Sequence, residues 1–110
     1  IVFNIAVSNC DDHLRNHGFL LTKKGWTLSP AYDLNPQEYG VGLSLNIDEK
    51  NNALDYKLAL DVAKYAGISS TVAQNIIQHT KDVVSSWRKW AGLYHISRDE
   101  QEMMVQAFKL

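Results

Sequence analysis

Nine consecutive residues, Asn9 to His17, separate two apolar stretches, and only Cys10 and Leu14 among them are apolar. Polar groups taken out of water without partners are costly, so a cluster this dense has the composition of a loop. Ahead of it, Ile1 to Val7 is apolar except for Asn4, and helical spacing puts Ile1, Ile5 and Ser8 on one face with Val2 and Ala6 beside them. Behind it, Gly18 to Thr22 and Trp26 to Leu28 flank Lys23-Lys24-Gly25, the pattern of a β-hairpin closed by a short Gly-containing turn. Pro30 and Pro36 then forbid regular helix or central strand. Residues 37–52 read as irregular, with Gly40, Gly42 and the polar end Asn51-Asn52.

The remaining residues, 53–110, carry helical periodicity. Leu54, Leu58, Val62 and Tyr65 recur every three or four residues, and Gly67 stands where a C-terminal cap belongs. A second helix is expected to carry Val72, Ile76, Val83, Trp87 and Trp90 on one core-facing stripe, with Thr71 and Gln74 spaced as a capping box. A third begins at Ser97, with Glu100 completing another capping box and Met103 and Met104 as core filler. The fold class is therefore mainly α with a small β-hairpin: a loop-and-hairpin unit over 1–36, then a helical bundle over 53–110.

With 110 residues the chain has room for one domain. Apolar residues at 45 % and charged residues at 21 % argue against disorder, coiled coil and collagen. Net charge is −1, and neither half is strongly charged, so nothing favours nonspecific binding to nucleic acid or an anionic membrane. A single cysteine, Cys10, excludes an internal disulfide framework and suits a reducing, cytoplasmic compartment. No apolar run approaches the roughly 20 residues needed to span a bilayer. The chain opens on Ile1 inside an apolar stretch, which reads as a fragment.

Within the polar cluster, Asp11 precedes Asn16 by five positions. Asp-x-x-x-x-Asn is the spacing of a protein-kinase catalytic loop, whose Asp accepts the substrate hydroxyl proton and whose Asn binds a metal. A carboxylate and an amide oxygen are hard donors suited to Mg²⁺. A second carboxylate, Asp33, follows the hairpin, where a kinase places its metal-binding Asp. The spacing alone is a weak signal; hairpin and returning Asp strengthen it.

These residues carry a resemblance. The stretch Ser8 to Leu20, containing Asn9-x-Asp11-x-His13-x-x-Asn16, and the stretch Gly25 to Leu34, containing Pro30-x-Tyr32-Asp33, resemble the C-terminal domain of HipA-type kinases, the toxins of bacterial HipBA toxin–antitoxin modules. The resemblance implies the helical C-terminal lobe of a protein-kinase-like fold and a serine/threonine protein kinase using ATP and Mg²⁺. It implies Asp11 as catalytic base, His13 as a loop-positioning residue, Asn16 as a metal ligand and Asp33 as the principal metal ligand, both also holding nucleotide through the metal. It further implies a protein substrate, with a translation component as the suggested class, an antitoxin of the HipB type as partner, and a role in bacterial persistence. The family's phosphate-binding loop, ATP-anchoring lysine and autophosphorylated serine are expected upstream of Ile1, so the chain by itself is expected to be inactive.

Other readings compete. Asp11, Asn16 and Asp33 are also residue types that favour turns. Asp12 reads as a solvated neighbour or a cap, Arg15 as half of a structural ion pair, and Trp26 as a packing residue of the hairpin. Cys10, His13 and His17 have a spacing reminiscent of zinc ligands, without an evident fourth. Asp11 with Asp33 would also serve a metal-dependent phosphohydrolase. As an alternative to the kinase, the chain reads as a non-catalytic helical module that binds a partner protein, with Trp87 and Trp90 as candidate contact residues.

Overall fold

The computed structural model describes residues 1–110 and is helical in 47 % of them. The order is α1 (Val2–Ala6), β1 (Phe19–Thr22), β2 (Gly25–Leu28), α2 (Tyr56–Ala63), α3 (Ser70–Ser85), α4 (Trp87–Leu93) and α5 (Arg98–Met104), with single 3-10 turns at Leu14–Asn16, Lys64–Ala66 and Val105–Ala107. The strands form a two-stranded antiparallel hairpin with Phe19 opposite Leu28 and Thr22 opposite Gly25. Its connection is thus the two residues Lys23 and Lys24. Gly25 belongs to the strand, where its φ of +101° suits a residue without Cβ. Trp26, expected to pack the hairpin, is instead 71 % exposed at its surface.

The short helix α1 is the hub. Ile5 packs with Leu43 and Ala59, bringing the irregular segment and α2 onto one face, with Val2, Ile47, Leu54 and Tyr56 around them. Ala6 and Val7 pack with Val84 of α3, with Tyr56 and Phe108 at the edge. Tyr56 joins both clusters, and its hydroxyl donates to the Lys109 carbonyl at 2.6 Å. Lys109 N in turn donates to the Ala6 carbonyl at 2.8 Å, which ties the C-terminal segment to α1. The helix stops after Ala6, and Ser8 lies beyond it at φ +50°, so Ser8 shares no helical face with Ile1 and Ile5.

Three helix details differ from the sequence expectation. The N-cap of α3 is Ser69, whose Oγ accepts from Val72 N; Thr71 lies inside the first turn and makes no capping box with Gln74. The long second helix is broken at Ser86, separating α3 from α4. There the hydroxyls of Ser85 and Ser86 donate to the carbonyls of Asp82 and Val83, at 2.6 and 2.8 Å, competing with the helical ladder. The intended core stripe is largely bare: Val72, Ile76, Val83 and Trp90 are exposed, as is Met103, and the buried residues of α3 are Ala73 and Val84. Trp87 does pack, stacked on Phe108 with ring centroids 4.2 Å apart. Gly67 in the left-handed region after α2 and the Ser97–Glu100 capping box of α5 match expectation.

Candidate functional site

The polar cluster closes on itself. Asn16 Nδ2 donates to the Asp11 carbonyl at 3.2 Å, so the five-residue spacing is the span of one compact loop. His13 enters that loop in extended conformation, and its carbonyl accepts from Asn16 N at 2.9 Å, forming the 3-10 turn. Its Nδ1 is buried with no protein partner. Asn16 is buried while Asp11 is exposed, so the amide is fixed by the fold and the carboxylate is free to meet a reactant.

The Asp33 segment is stitched to this loop at several points. Ser29 N donates to the Gly18 carbonyl at 2.8 Å, immediately after the catalytic-type loop. Tyr32 Oη donates to the Arg15 carbonyl at 2.7 Å. Asn35 N donates to Asn9 Oδ1 at 3.3 Å, and Gln37 N to the Ser8 carbonyl at 3.1 Å. Asp33 thus lies between two residues, Tyr32 and Asn35, that are bonded to either end of the loop containing Asp11. Asp33 itself is exposed, with φ +55°, and its Oδ1 accepts from Asn35 Nδ2 at 2.7 Å. A positive φ is uncommon outside glycine, with Asp and Asn the usual exceptions, and such backbones gather at functional sites.

Behind the loops lies a buried polar network. Asp12 is 7 % exposed, a correction to its reading as a solvated residue. It accepts from Asn4 Nδ2 of α1, and His17 Nε2 lies 2.8 Å from its other oxygen. Asn9 Nδ2 donates to Asn4 Oδ1 at 3.1 Å. Arg15 makes no ion pair; it contributes its carbonyl instead. Sequence reasoning missed this network; the signal that could have found it is Asn4, one amide inside an apolar run.

The donor set fits Mg²⁺. Hydrogen bonding leaves Asn16 Oδ1 and one Asp33 oxygen without protein donors, and both are hard oxygens. One or two carboxylates are what protein sites commonly offer Mg²⁺, the rest coming from phosphate and water. No three His, Cys, Asp or Glu side chains cluster as a metal site, so the zinc reading of Cys10, His13 and His17 falls, His17 being turned to Asp12.

A family model described as the HipA-like C-terminal domain matches residues 1–87. The chain belongs to this family. The match takes in both loops, the hairpin, α2 and α3, and relates this HipA-like domain to the kinase toxins of toxin–antitoxin modules and their HipB-type antitoxins. Its mainly helical architecture with one hairpin is that of the C-terminal lobe of a kinase-like fold. Among curated proteins and solved structures nothing matches. No helix of this HipA-like domain is long and apolar enough to cross a membrane.

Proposed function

We propose that this domain supplies the catalytic base and the metal-binding side chains of a serine/threonine protein kinase that transfers the γ-phosphoryl group of ATP to a protein hydroxyl. The observation that carries this reading is the stitching of the Asp33 segment to both ends of the Asp11 loop, through Tyr32 to Arg15 and Asn35 to Asn9. A phosphoryl-transfer site needs its base and its metal carboxylate held in one rigid frame, because catalysis there is mostly positioning and electrostatics. Asp11, exposed and unpartnered, accepts the proton of the attacking hydroxyl as the new O–P bond forms and ADP departs. Asn16 and Asp33 would hold Mg²⁺, which would supply neutralisation of charge on the phosphates. His13 shapes the turn that fixes Asn16. The protein substrate is proposed to be a translation component, and a HipB-type antitoxin the partner, by membership of the family. These residues are the acid and metal half of a site, and the domain alone is expected to bind Mg-ATP weakly and to transfer no phosphoryl group.

The test is phosphoryl transfer from radiolabelled ATP by the complete gene product. Asp11→Ala is expected to lower the rate by about 10²–10⁴-fold, the usual worth of a general base. Asp33→Asn is expected to be at least as severe. An unchanged rate in Asp11→Ala refutes the assignment, and release of free phosphate without a protein acceptor would favour hydrolysis. A second reading, a partner-binding helical module, is favoured by the exposed apolar stripe of α3 and α4, and is the one to prefer if neither variant changes the chemistry.

A further inference from the structure

The side-chain amides around the two loops form a directed chain. It begins at the carboxylate of Asp12, which can only accept. Asp12 takes a hydrogen from Asn4 Nδ2, so the other end of that amide, Oδ1, is the end left facing Asn9. An oxygen there requires a donor, and Asn9 presents Nδ2 at 3.1 Å. That orientation in turn aims Asn9 Oδ1 outward, where it accepts from the backbone N of Asn35 at 3.3 Å. Asn35 then donates its side-chain Nδ2 to Asp33 Oδ1 at 2.7 Å, a link whose direction the carboxylate sets by itself. Flipping any one amide would set donor against donor or acceptor against acceptor at the next link. Because Asn4 and Asn9 are 5 % and 1 % exposed, water cannot readily repair such a mismatch.

Asp33 has a φ of +55°, uncommon for an L residue, though Asp is among those that tolerate it, so the contacts around Asp33 can decide whether it is held there. Tyr32 is pinned on one side by its hydroxyl on the Arg15 carbonyl, and Asn35 on the other by Asn9. We propose that Asn9 and Asn35 are positioning residues for Asp33. They hold its backbone left-handed and its carboxylate in one direction, with Asn4 and Asp12 setting the polarity of the chain. The consequence for metal binding rests on the reading of Asp33 as a metal ligand; the conformational effect does not.

The two parts separate in one NMR experiment on the isotopically labelled 110-residue chain, with Mn²⁺ as the metal probe. The readouts are the H–N–Cα–H coupling and carbon shifts of Asp33, which report a left-handed residue, and the Mn²⁺ broadening of Asp33 and Asn16. Asn9→Ala, which removes the acceptor of Asn35 N, is expected to abolish the left-handed signature of Asp33 while the resonances of α2 and α3 stay in place. Asn35→Ala, which removes only the side-chain donor to Asp33 Oδ1, is expected to shift the carboxyl carbon of Asp33. Each is expected to raise the Mn²⁺ concentration needed for equal broadening by about 10–100-fold, the usual effect of removing a group that orients a metal ligand. Asn35 is exposed, so Asn35→Ala keeps the fold and tests the hold on the carboxylate even where Asn9→Ala does not fold. An Asp33 that keeps its signature in folded Asn9→Ala, or whose carboxyl carbon is unmoved in Asn35→Ala, overturns the proposal. Wild-type chain in which Mn²⁺ leaves Asp33 and Asn16 unbroadened instead overturns the metal reading and the affinity effect built on it.

Discussion

Asp11 faces solvent, whereas the next residue, Asp12, is buried against Asn4 and His17. Two adjacent carboxylates therefore answer to different physics: one is available for chemistry, the other is part of the frame. Asp12→Ala would leave Asn4 Nδ2 buried without an acceptor, a loss of about 1–3 kcal/mol. We expect its urea midpoint to fall accordingly, while Asp11→Ala stays within about 0.5 kcal/mol of wild type, as exposed substitutions do. The sequence distinguished the two by the Asp-x-x-x-x-Asn spacing but assigned Asp12 to solvent. Burial in a non-periodic loop leaves no alternation to read, so nothing local revealed that Asp12 turns inward. Ser8 shows the same limit: fully buried at φ +50°, it is set by where the chain must go after α1.

Helix ends were the most legible elements, because capping is decided within four residues. In α5, Ser97 Oγ accepts from Glu100 N and the Glu100 carboxylate accepts from Ser97 N at 3.0 Å. Ser97→Ala is expected to cost about 1 kcal/mol in thermal unfolding. The hydrogen bonds from the Ser97 hydroxyl and backbone hold the Glu100 carboxyl below its ordinary pKa of 4.5. A lowered folded pKa means the stabilisation is present above the ordinary value and is lost as pH falls through the folded one. Unfolding across that acidic window should therefore show a component that Glu100→Gln removes; an identical pH profile in the variant would contradict it. At α3 the expectation of Thr71 as the cap fails: Ser69 takes that place because it is the extended residue entering the helix after the left-handed Gly67. The break at Ser86 was written in Ser85-Ser86, yet the apolar spacing running through it masked the boundary.

Taken whole, the chain has a radius of gyration of 15.2 Å, against about 13 Å for a compact domain near this length. Only 17 of 110 residues are buried, and they gather around α1 rather than along α3. The aromatic pair on α4 reports this division. Trp87 is half-buried on Phe108, and Trp87→Ala is expected to lose about 2–3 kcal/mol, somewhat less than a fully buried aromatic. Trp90, at 52 % exposed, should cost less, about 1–1.5 kcal/mol, in the same denaturation measurement. Equal losses would mean that both rings sit in one core. Helical periodicity identifies an apolar face correctly but cannot say whether this chain covers it, since that depends on which elements the fold brings alongside.

By itself, the sequence determined the hairpin, the helical periodicity, the caps at Gly67 and Ser97, and the motif residues Asp11, His13, Asn16 and Asp33, all of which are encoded within a few neighbouring positions. Only the tertiary structure decided that Asn4, Asn9 and Asp12 form a buried network, that Tyr32 and Asn35 clamp Asp33 to the Asp11 loop, and which of the apolar residues are core. The reason is physical: those features are hydrogen bonds and contacts between residues far apart in sequence, 26 positions from Asn9 to Asn35 and 54 from Ile5 to Ala59, and no local propensity specifies them.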